Sequence, residues 1–200
     1  MAFSIRSALT VFVLCGALAG LLAGCTSTSQ TTATTSAKFS RANWNILPQY
    51  RRQIVSYQSA EAPGTIIVDT ASRHLYLIGD GGKATRYGIG VGRRGFAWKG
   101  TATVKRKVEW PRWTPPASMI ARQPELAKYA GGMEGGIGNP LGARALYLYQ
   151  GNVDTLYRLH GTDEPWSIGK AVSSGCIRLL NDDIVDLYNR ALAGTRVVVL

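Results

Sequence analysis

The chain has 200 residues, enough for one folded domain with additional segments. Hydrophobic residues make up 46% of it, which excludes a chain that is disordered throughout, and three cysteines are too few for a small disulfide-held scaffold. The net charge is +11, but the longest basic stretch is residues 105–107, inside a strand-like segment without a basic helix. We therefore predict no nucleic-acid partner, because a positive surface also suits an anionic polymer or a membrane.

Residues 1–24 have the order of a bacterial secretion signal. Arg6 precedes an uncharged apolar run that is too short for a comfortable membrane span and ends in LAGC at residues 22–25. This ending resembles the lipobox of bacterial lipoproteins, in which the cysteine is lipidated and cleavage falls just before it. The resemblance implies a lipid on Cys25 and anchoring at the periplasmic face of a membrane. The outer membrane is favoured because Thr26, and not Asp, follows; an ordinary cleavage site is the alternative.

Residues 25–62 are predicted to contain the lipid anchor, a flexible tether and an N-terminal extension. The tether, residues 26–37, consists of Thr, Ser, Ala and Gln, a composition that cannot bury apolar surface. Residues 38–62 contain one Trp and two Tyr residues that could pack on the domain, but they predict no clear element. The folded domain is assigned to residues 63–200.

Strand-like segments dominate the predicted domain. Two short helices are expected at residues 118–126 and 181–191, the second capped by Asn181 and stopped by Gly194. The fold class is therefore mainly β, with one or two short helices. Short β-branched and aromatic runs predict strands at residues 65–69, 74–78, 84–91, 101–110, 144–149, 155–160 and 195–200.

Residues 90–95 match the G-x-G-x-x-G pattern of dinucleotide sites and follow a predicted strand. The segment after them is β-like and bounded by proline, so no helix N-terminus would face a pyrophosphate. We interpret the pattern as a turn and predict no cofactor. We predict no metal site either, because His74, His160 and Cys176 lack a zinc-ligand spacing.

Cys176 is the one cysteine within the predicted domain, so it is either a buried apolar residue or a reactive thiol. His160 ends a predicted strand, and Cys176 follows a glycine turn and precedes a helix. A histidine can accept the proton of a cysteine nucleophile at neutral pH, and the small residues 173–175 leave backbone amides for an oxyanion. From this chemistry alone, acyl transfer and a buried thiol are equally open.

The pair of motifs HG at residues 160–161 and SSGC at residues 173–176 resembles the signature of the L,D-transpeptidases, the YkuD domain family. The loop at residues 138–143 is similar to that family as well. The resemblance covers residues 63–200 and implies a β-sandwich-like catalytic domain that acts on peptidoglycan stem peptides.

The resemblance implies roles for individual residues. Cys176 is the nucleophile, His160 its base, and the carbonyl of Gly161 orients the imidazole. The amides of Ser174, Gly175 and Cys176 form the oxyanion hole. The Cys176 thiolate, expected to have a low pKa, would form a thioester with the tetrapeptide stem, release D-alanine and pass the acyl group to an amine.

The sequence departs from the family pattern at two positions. Ser174 stands where members often have a second histidine, which leaves His160 as the base, and Arg178 stands where members often have Asn. Arg178 is predicted to bind a substrate carboxylate, or to form a structural ion pair with Asp182 or Asp183.

Two other functions compete with an L,D-transpeptidase that remodels or cross-links the wall. An L,D-carboxypeptidase or hydrolase would use the same Cys-His site with water as acceptor. A non-catalytic wall-binding lipoprotein would have no reason to keep both His160 and Cys176. The sequence predicts no oligomeric state.

Overall fold

The fold comes from a computed structural model that describes residues 45–94 and 98–200. The predicted signal sequence, Cys25 and the predicted tether lie outside the described residues, so all three stay predictions. Eleven strands are present in the described part: β1 Gln53–Ser56, β2 Ile66–Asp69, β3 His74–Ile78, β4 Lys83–Gly88, β5 Val91–Gly92, β6 Gly100–Glu109, β7 Arg144–Gln150, β8 Val153–His160, β9 Ala171–Ser173, β10 Ile177–Arg178 and β11 Arg196–Val199.

Two short α-helices accompany the strands, α1 at Ala117–Arg122 and α2 at Asn181–Arg190. Short 3₁₀ helices occupy Pro48–Tyr50, Pro124–Tyr129 and Pro165–Ser167. The prediction of a mainly β fold with one or two short helices is confirmed. Among the described residues, no helix is both long enough and apolar enough to cross a membrane.

Nine strands form one sheet in the order β1-β4-β3-β2-β11-β6-β7-β8-β10, and β5 pairs with β9 in a second, two-stranded sheet. The large sheet curls around the larger of two buried apolar clusters. Tyr87 on β4 and Ile177 on β10 are far apart in the strand order, yet both belong to the same buried apolar cluster. The residue that links the two ends is Gly90, which exchanges two backbone hydrogen bonds of 2.9 Å with Arg178. The sheet therefore closes on itself and brings β10 next to the end of β4.

Residues 45–62 pack on the domain through β1, which extends the sheet edge by pairing antiparallel with β4. Tyr50 lies against two glycines. A Cβ atom on Gly88 would stand 2.3 Å from the Tyr50 carbonyl oxygen, and one on Gly169 would stand 2.3 Å from its ring. The extension is thus fitted closely to the domain, and its edge strand shields backbone groups of β4.

The prediction that Asn181 caps α2 is wrong. Leu180 occupies the N-cap position, and no side chain caps the helix. Asn181 instead accepts a hydrogen bond from the Ala143 amide and donates one to the Thr162 carbonyl, both at 2.9 Å. The side chain therefore connects two loops and leaves the helix end to the backbone.

Candidate active site

Strands β8 and β10 bring the predicted site residues to one face of the sheet. The two strands are parallel, with Ile177 opposite Leu159 and Arg178 opposite His160. Leu159 and Ile177 point into the core, where they are 0% and 5% exposed. Because side chains alternate along a strand, the neighbouring residues point to the opposite face. Cys176 directly precedes β10 and His160 ends β8, so the parallel pair brings the two residues to the same part of the sheet.

His160 is held through its own backbone. Its Nδ1 lies 2.5 Å from the carbonyl oxygen of Gly161, and a carbonyl can only accept a hydrogen bond. In the neutral ring the proton therefore sits on Nδ1, and Nε2 keeps its lone pair. This is the tautomer that a general base needs, and the placement of Gly161 agrees with its predicted orienting role.

The pKa of the His160 imidazole is lowered to about 3, mainly by burial and also by the positive charges of Arg178 and Arg158. Hydrogen bonds to the Gly161 and Leu141 carbonyls oppose this shift. His160 is only 4% exposed. The resting imidazole is therefore neutral at any physiological pH.

Cys176 is half-buried, and its thiol faces an irregular part of β8. The Sγ atom lies 3.8 Å from the carbonyl oxygen of Leu156. Leu156 has φ 62°, a left-handed conformation that is costly for leucine, and its amide donates a hydrogen bond to Asp154 Oδ1 at 2.8 Å. The register between β7 and β8 shifts at this position. The bulge turns the Leu156 carbonyl toward the thiol, and nothing in the sequence predicts it.

The expected low pKa of Cys176 is not found. Burial raises the pKa of the thiol, although a hydrogen bond from the Arg158 backbone and the charges of Arg158 and Arg178 lower it. Both members of the pair are therefore neutral at rest. A nucleophilic role for Cys176 would then require the thiol to lose its proton to a base during the reaction, because no thiolate is present at rest.

The predicted oxyanion amides differ in their availability. The Gly175 amide donates to Ser173 Oγ at 3.2 Å, and that hydroxyl donates to the Cys176 carbonyl at 2.7 Å. Gly175 has φ 131°, which favours glycine. No protein acceptor is found for the amides of Ser174 and Cys176 within the described part of the chain. These two amides are the ones open to an oxyanion, and the hydroxyl of Ser173 fixes the turn that presents them.

Arg178 forms an ion pair, but not with the predicted partners. Its Nη1 donates to Glu164 Oε2, and Glu164 belongs to the loop after His160. The alternative with Asp182 or Asp183 is wrong, because Asp183 instead lies 3.6 Å from Arg52. The sequence offered no signal for Glu164, since the loop that carries it to Arg178 has no periodicity.

Among the described residues, no group of three His, Cys, Asp or Glu side chains is placed to hold a metal ion. His74 lies on β3, where its Nε2 is 3.0 Å from the Gln49 carbonyl, away from β8 and β10. The arrangement is therefore a cysteine and a histidine beside backbone donors, which suits acyl transfer through a covalent intermediate.

Comparison with known proteins gives a family for these features. The sequence model of the YkuD family, described as the L,D-transpeptidase catalytic domain, matches residues 63–199. A probable L,D-transpeptidase of Escherichia coli, ErfK/SrfK, is 35% identical over 167 residues, which cover 77% of this chain and 51% of that protein. The chain thus spans about half the length of the curated relatives it matches.

Solved structures agree with the fold. A crystal structure of a Brucella melitensis protein, called a probable carnitine operon oxidoreductase, is 49% identical, with a TM-score of 0.54, and covers 82% of this chain and 98% of its own. An L,D-transpeptidase of Enterococcus faecium is 18% identical with a TM-score of 0.50, covering 70% of this chain and 50% of its own, and supports the fold alone.

Proposed function

Because the chain belongs to the YkuD family of L,D-transpeptidase catalytic domains, we propose that it is a peptidoglycan L,D-transpeptidase that works through a thioester on Cys176. The observation that carries this proposal is the contact between His160 Nδ1 and the Gly161 carbonyl. With Nδ1 bound to the Gly161 carbonyl, Nε2 is a proton acceptor on the face of the sheet that Cys176 shares.

The first step is attack on the tetrapeptide stem. The thiol leaves the Leu156 carbonyl, gives its proton to Nε2 of His160, and Sγ bonds to the carbonyl carbon of the residue before the terminal D-alanine. The amides of Ser174 and Cys176 donate to the oxyanion. When the C–N bond breaks, the proton on Nε2 moves to the nitrogen of the leaving D-alanine.

The second step runs the same bond changes in the opposite direction, with the nitrogen of an acceptor amine in place of the D-alanine nitrogen. An acceptor amine attacks the thioester, Nε2 of His160 takes the proton, and the proton returns to Sγ as the C–S bond breaks. With the amine of a second stem peptide the product is a cross-link. With water the same site is a carboxypeptidase, which remains the alternative outcome.

A redox function has less support in this chain, although a similar Brucella melitensis protein is named as an oxidoreductase. The G-x-G-x-x-G stretch begins at Gly90, and β5 occupies residues 91–92 within it. From residue 98 onward the described chain runs into strand β6, without a helix that could bind a pyrophosphate at its N-terminus.

The proposed lipid on Cys25 would place this activity at the periplasmic face of a membrane, where peptidoglycan is within reach. One lipid chain gives only marginal membrane binding, and stable anchoring requires the two or more chains of a bacterial lipoprotein. The membrane partner and the outer-membrane location are parts of this proposal.

The test is intact-protein mass spectrometry. Incubation with a carbapenem is expected to add one drug mass to the wild type and none to Cys176→Ala, because a thiol beside an oxyanion hole opens the β-lactam and retains it. Cys176→Ser should fold normally and lose essentially all product from a tetrapeptide donor. An adduct that survives Cys176→Ala would overturn the proposed nucleophile, and a wild type that never acylates would favour a wall-binding lipoprotein.

Muropeptide analysis then separates the two enzymatic outcomes. Dimers formed from purified tetrapeptide fragments identify a transferase, whereas accumulation of tripeptides without dimers identifies the carboxypeptidase. Cys176→Ser is the blank for both products.

A further inference from the structure

Two arginines flank the nucleophile on the open face of β8 and β10, and their surroundings differ. Arg158 is saturated by its neighbours: it donates to both oxygens of Asp154 at 2.7 and 2.8 Å and to the Tyr157 carbonyl at 2.9 Å. Its guanidinium also stacks 4.3 Å from the Tyr147 ring centroid. Arg158 therefore has little capacity for a ligand.

Arg178 has such capacity. Within the described chain its guanidinium makes one hydrogen bond, from Nη1 to Glu164. The remaining N–H groups form a planar fork that suits a carboxylate. The Arg178 side chain keeps 19% of its surface exposed, so the fork is partly desolvated and still accessible. The salt bridge to Glu164, which lies on a neighbouring loop, fixes the direction of the Arg178 guanidinium.

The position of Arg178 relative to His160 restricts which carboxylate it can meet. The two residues lie opposite each other in the parallel pair, and Cys176 is two positions from Arg178 on the same face. His160 exchanges its proton with the nitrogen that leaves or attacks. In an α-amino acid, the carboxylate carbon is only about 2.5 Å from that nitrogen. A nitrogen placed at His160 therefore keeps its own carboxylate close to the residue opposite His160 in the strand pair, which is Arg178.

We infer that Arg178, oriented by Glu164, binds the α-carboxylate adjacent to the exchanging nitrogen, in the leaving D-alanine and in the amino-acid acceptor alike. This inference rests on the proposed function, because it names a subsite of the same thioester chemistry. One cation serves both steps, since each nitrogen carries its carboxylate on the next carbon. The site would favour α-amino acid acceptors over amines without a carboxylate and over water.

Binding at this subsite would also affect the base. The positive charge of Arg178 is one of the causes that lower the pKa of His160. An anion on Arg178 offsets that charge, so it raises the basicity of Nε2 when the substrate is in place. The acceptor carboxylate would therefore help to prepare its own nitrogen for proton removal.

The test is a competition between two acceptors that differ only in the carboxylate. The full-length chain is given a tetrapeptide donor with equal concentrations of D-serine and D-serinamide, and the two products are counted by mass. D-serinamide has the more deprotonated amine at neutral pH, so a preference for D-serine reports binding. We expect the ratio of D-serine to D-serinamide product to fall about 10- to 100-fold in Arg178→Gln, the loss expected for a charge-assisted hydrogen bond.

A matched control is Arg196→Gln on β11. Arg196 forms a similar ion pair, with its Nε 2.9 Å from Glu61 Oε2, away from the site. Its product ratio should equal that of the wild type. The ratio compares two products of the same enzyme sample, so a partly unfolded variant does not change it.

Three results overturn the inference. The first is an unchanged ratio in Arg178→Gln. The second is a wild-type enzyme that forms the D-serine product no more readily than the D-serinamide product; this result is obtained without any variant. The third is the absence of any thioester on wild-type Cys176, which removes the proposed function as well; the first two leave that function intact.

Discussion

Asp183 should make the protein more stable in mild acid, against the usual trend for carboxylates. The side chain lies in the first turn of α2 and is 5% exposed. Its Oδ2 atom has no hydrogen-bond partner, and its Oδ1 atom lies 3.6 Å from Arg52. Burial raises the pKa of Asp183 to about 6, although the charge of Arg52 lowers it.

The magnitude follows from linkage. The folded-state pKa lies above the unfolded value of 3.8, so the folded protein binds this proton more tightly. The contribution to stability is therefore complete below about pH 3.8 and is lost as the pH rises through about 6. One pKa unit corresponds to about 1.36 kcal/mol, so the difference between the folded and unfolded pKa of Asp183 corresponds to about 3 kcal/mol of stability as an upper bound. Asp183→Asn removes this dependence, and Arg52 keeps its contact with Asp186 at 3.3 Å.

The assay is urea unfolding of the wild type and Asp183→Asn between pH 4 and pH 7. The free energy of unfolding of the wild type, relative to the variant, should fall by about 2–3 kcal/mol over this range. Asp80→Asn is the control, because Asp80 is an exposed carboxylate in the turn between β3 and β4, outside α2. A difference between wild type and Asp183→Asn that is constant with pH would refute the reasoning.

Four further results are expected. His160→Ala should slow acylation by a carbapenem by about 10²- to 10⁴-fold in stopped-flow assays, because the thiol proton loses its acceptor; an unchanged rate would exclude His160 as base. Asn181→Ala should lower the free energy of unfolding by about 2–4 kcal/mol, since the Ala143 amide and Thr162 carbonyl lose their partner, and a loss below about 0.5 kcal/mol would contradict that role. Alkylation of Cys176 by iodoacetamide should still accelerate above pH 9, as the raised pKa requires, and a plateau near pH 7 would show a standing thiolate. A fatty-acid probe should label the wild type and not Cys25→Ala in cells, and label that persists would contradict the lipobox.

Strands with a clear apolar pattern could be predicted from the sequence, and several others could not. Strands β2, β3 and β6 lie within one residue of their predicted bounds. Strand β3 shows partial alternation, whereas β2 is a short β-branched run that is buried on both faces. Strand β1 has a single half-buried residue at the sheet edge, so its sequence has no amphipathic pattern. Strands β5, β9 and β10 have two or three residues each, and their partners far along the chain define them.

The identity of the candidate site residues could be predicted, but not their electrostatics. Cys176 and His160 are recognisable as residue types at a characteristic spacing. The raised pKa of Cys176 depends on burial, which only the folded arrangement sets. The same holds for Arg178, whose partner Glu164 comes from a loop, and for Asn181, whose carboxamide contacts two separate loops instead of its own helix.

The closure of the sheet at Gly90 has a consequence for the order of folding. The segment with Cys176 is tied by β10 to β8, and by two hydrogen bonds to a glycine that precedes it by most of the domain. Such contacts between distant parts of the chain form late, because the chain loses loop-closure entropy before the contacts add stability. Topologies with many contacts of this kind fold in about milliseconds to seconds. Thiol and imidazole then meet only in a molecule whose sheet is already closed. Until the sheet closes, the chain therefore keeps the Cys176 thiol and the His160 imidazole apart.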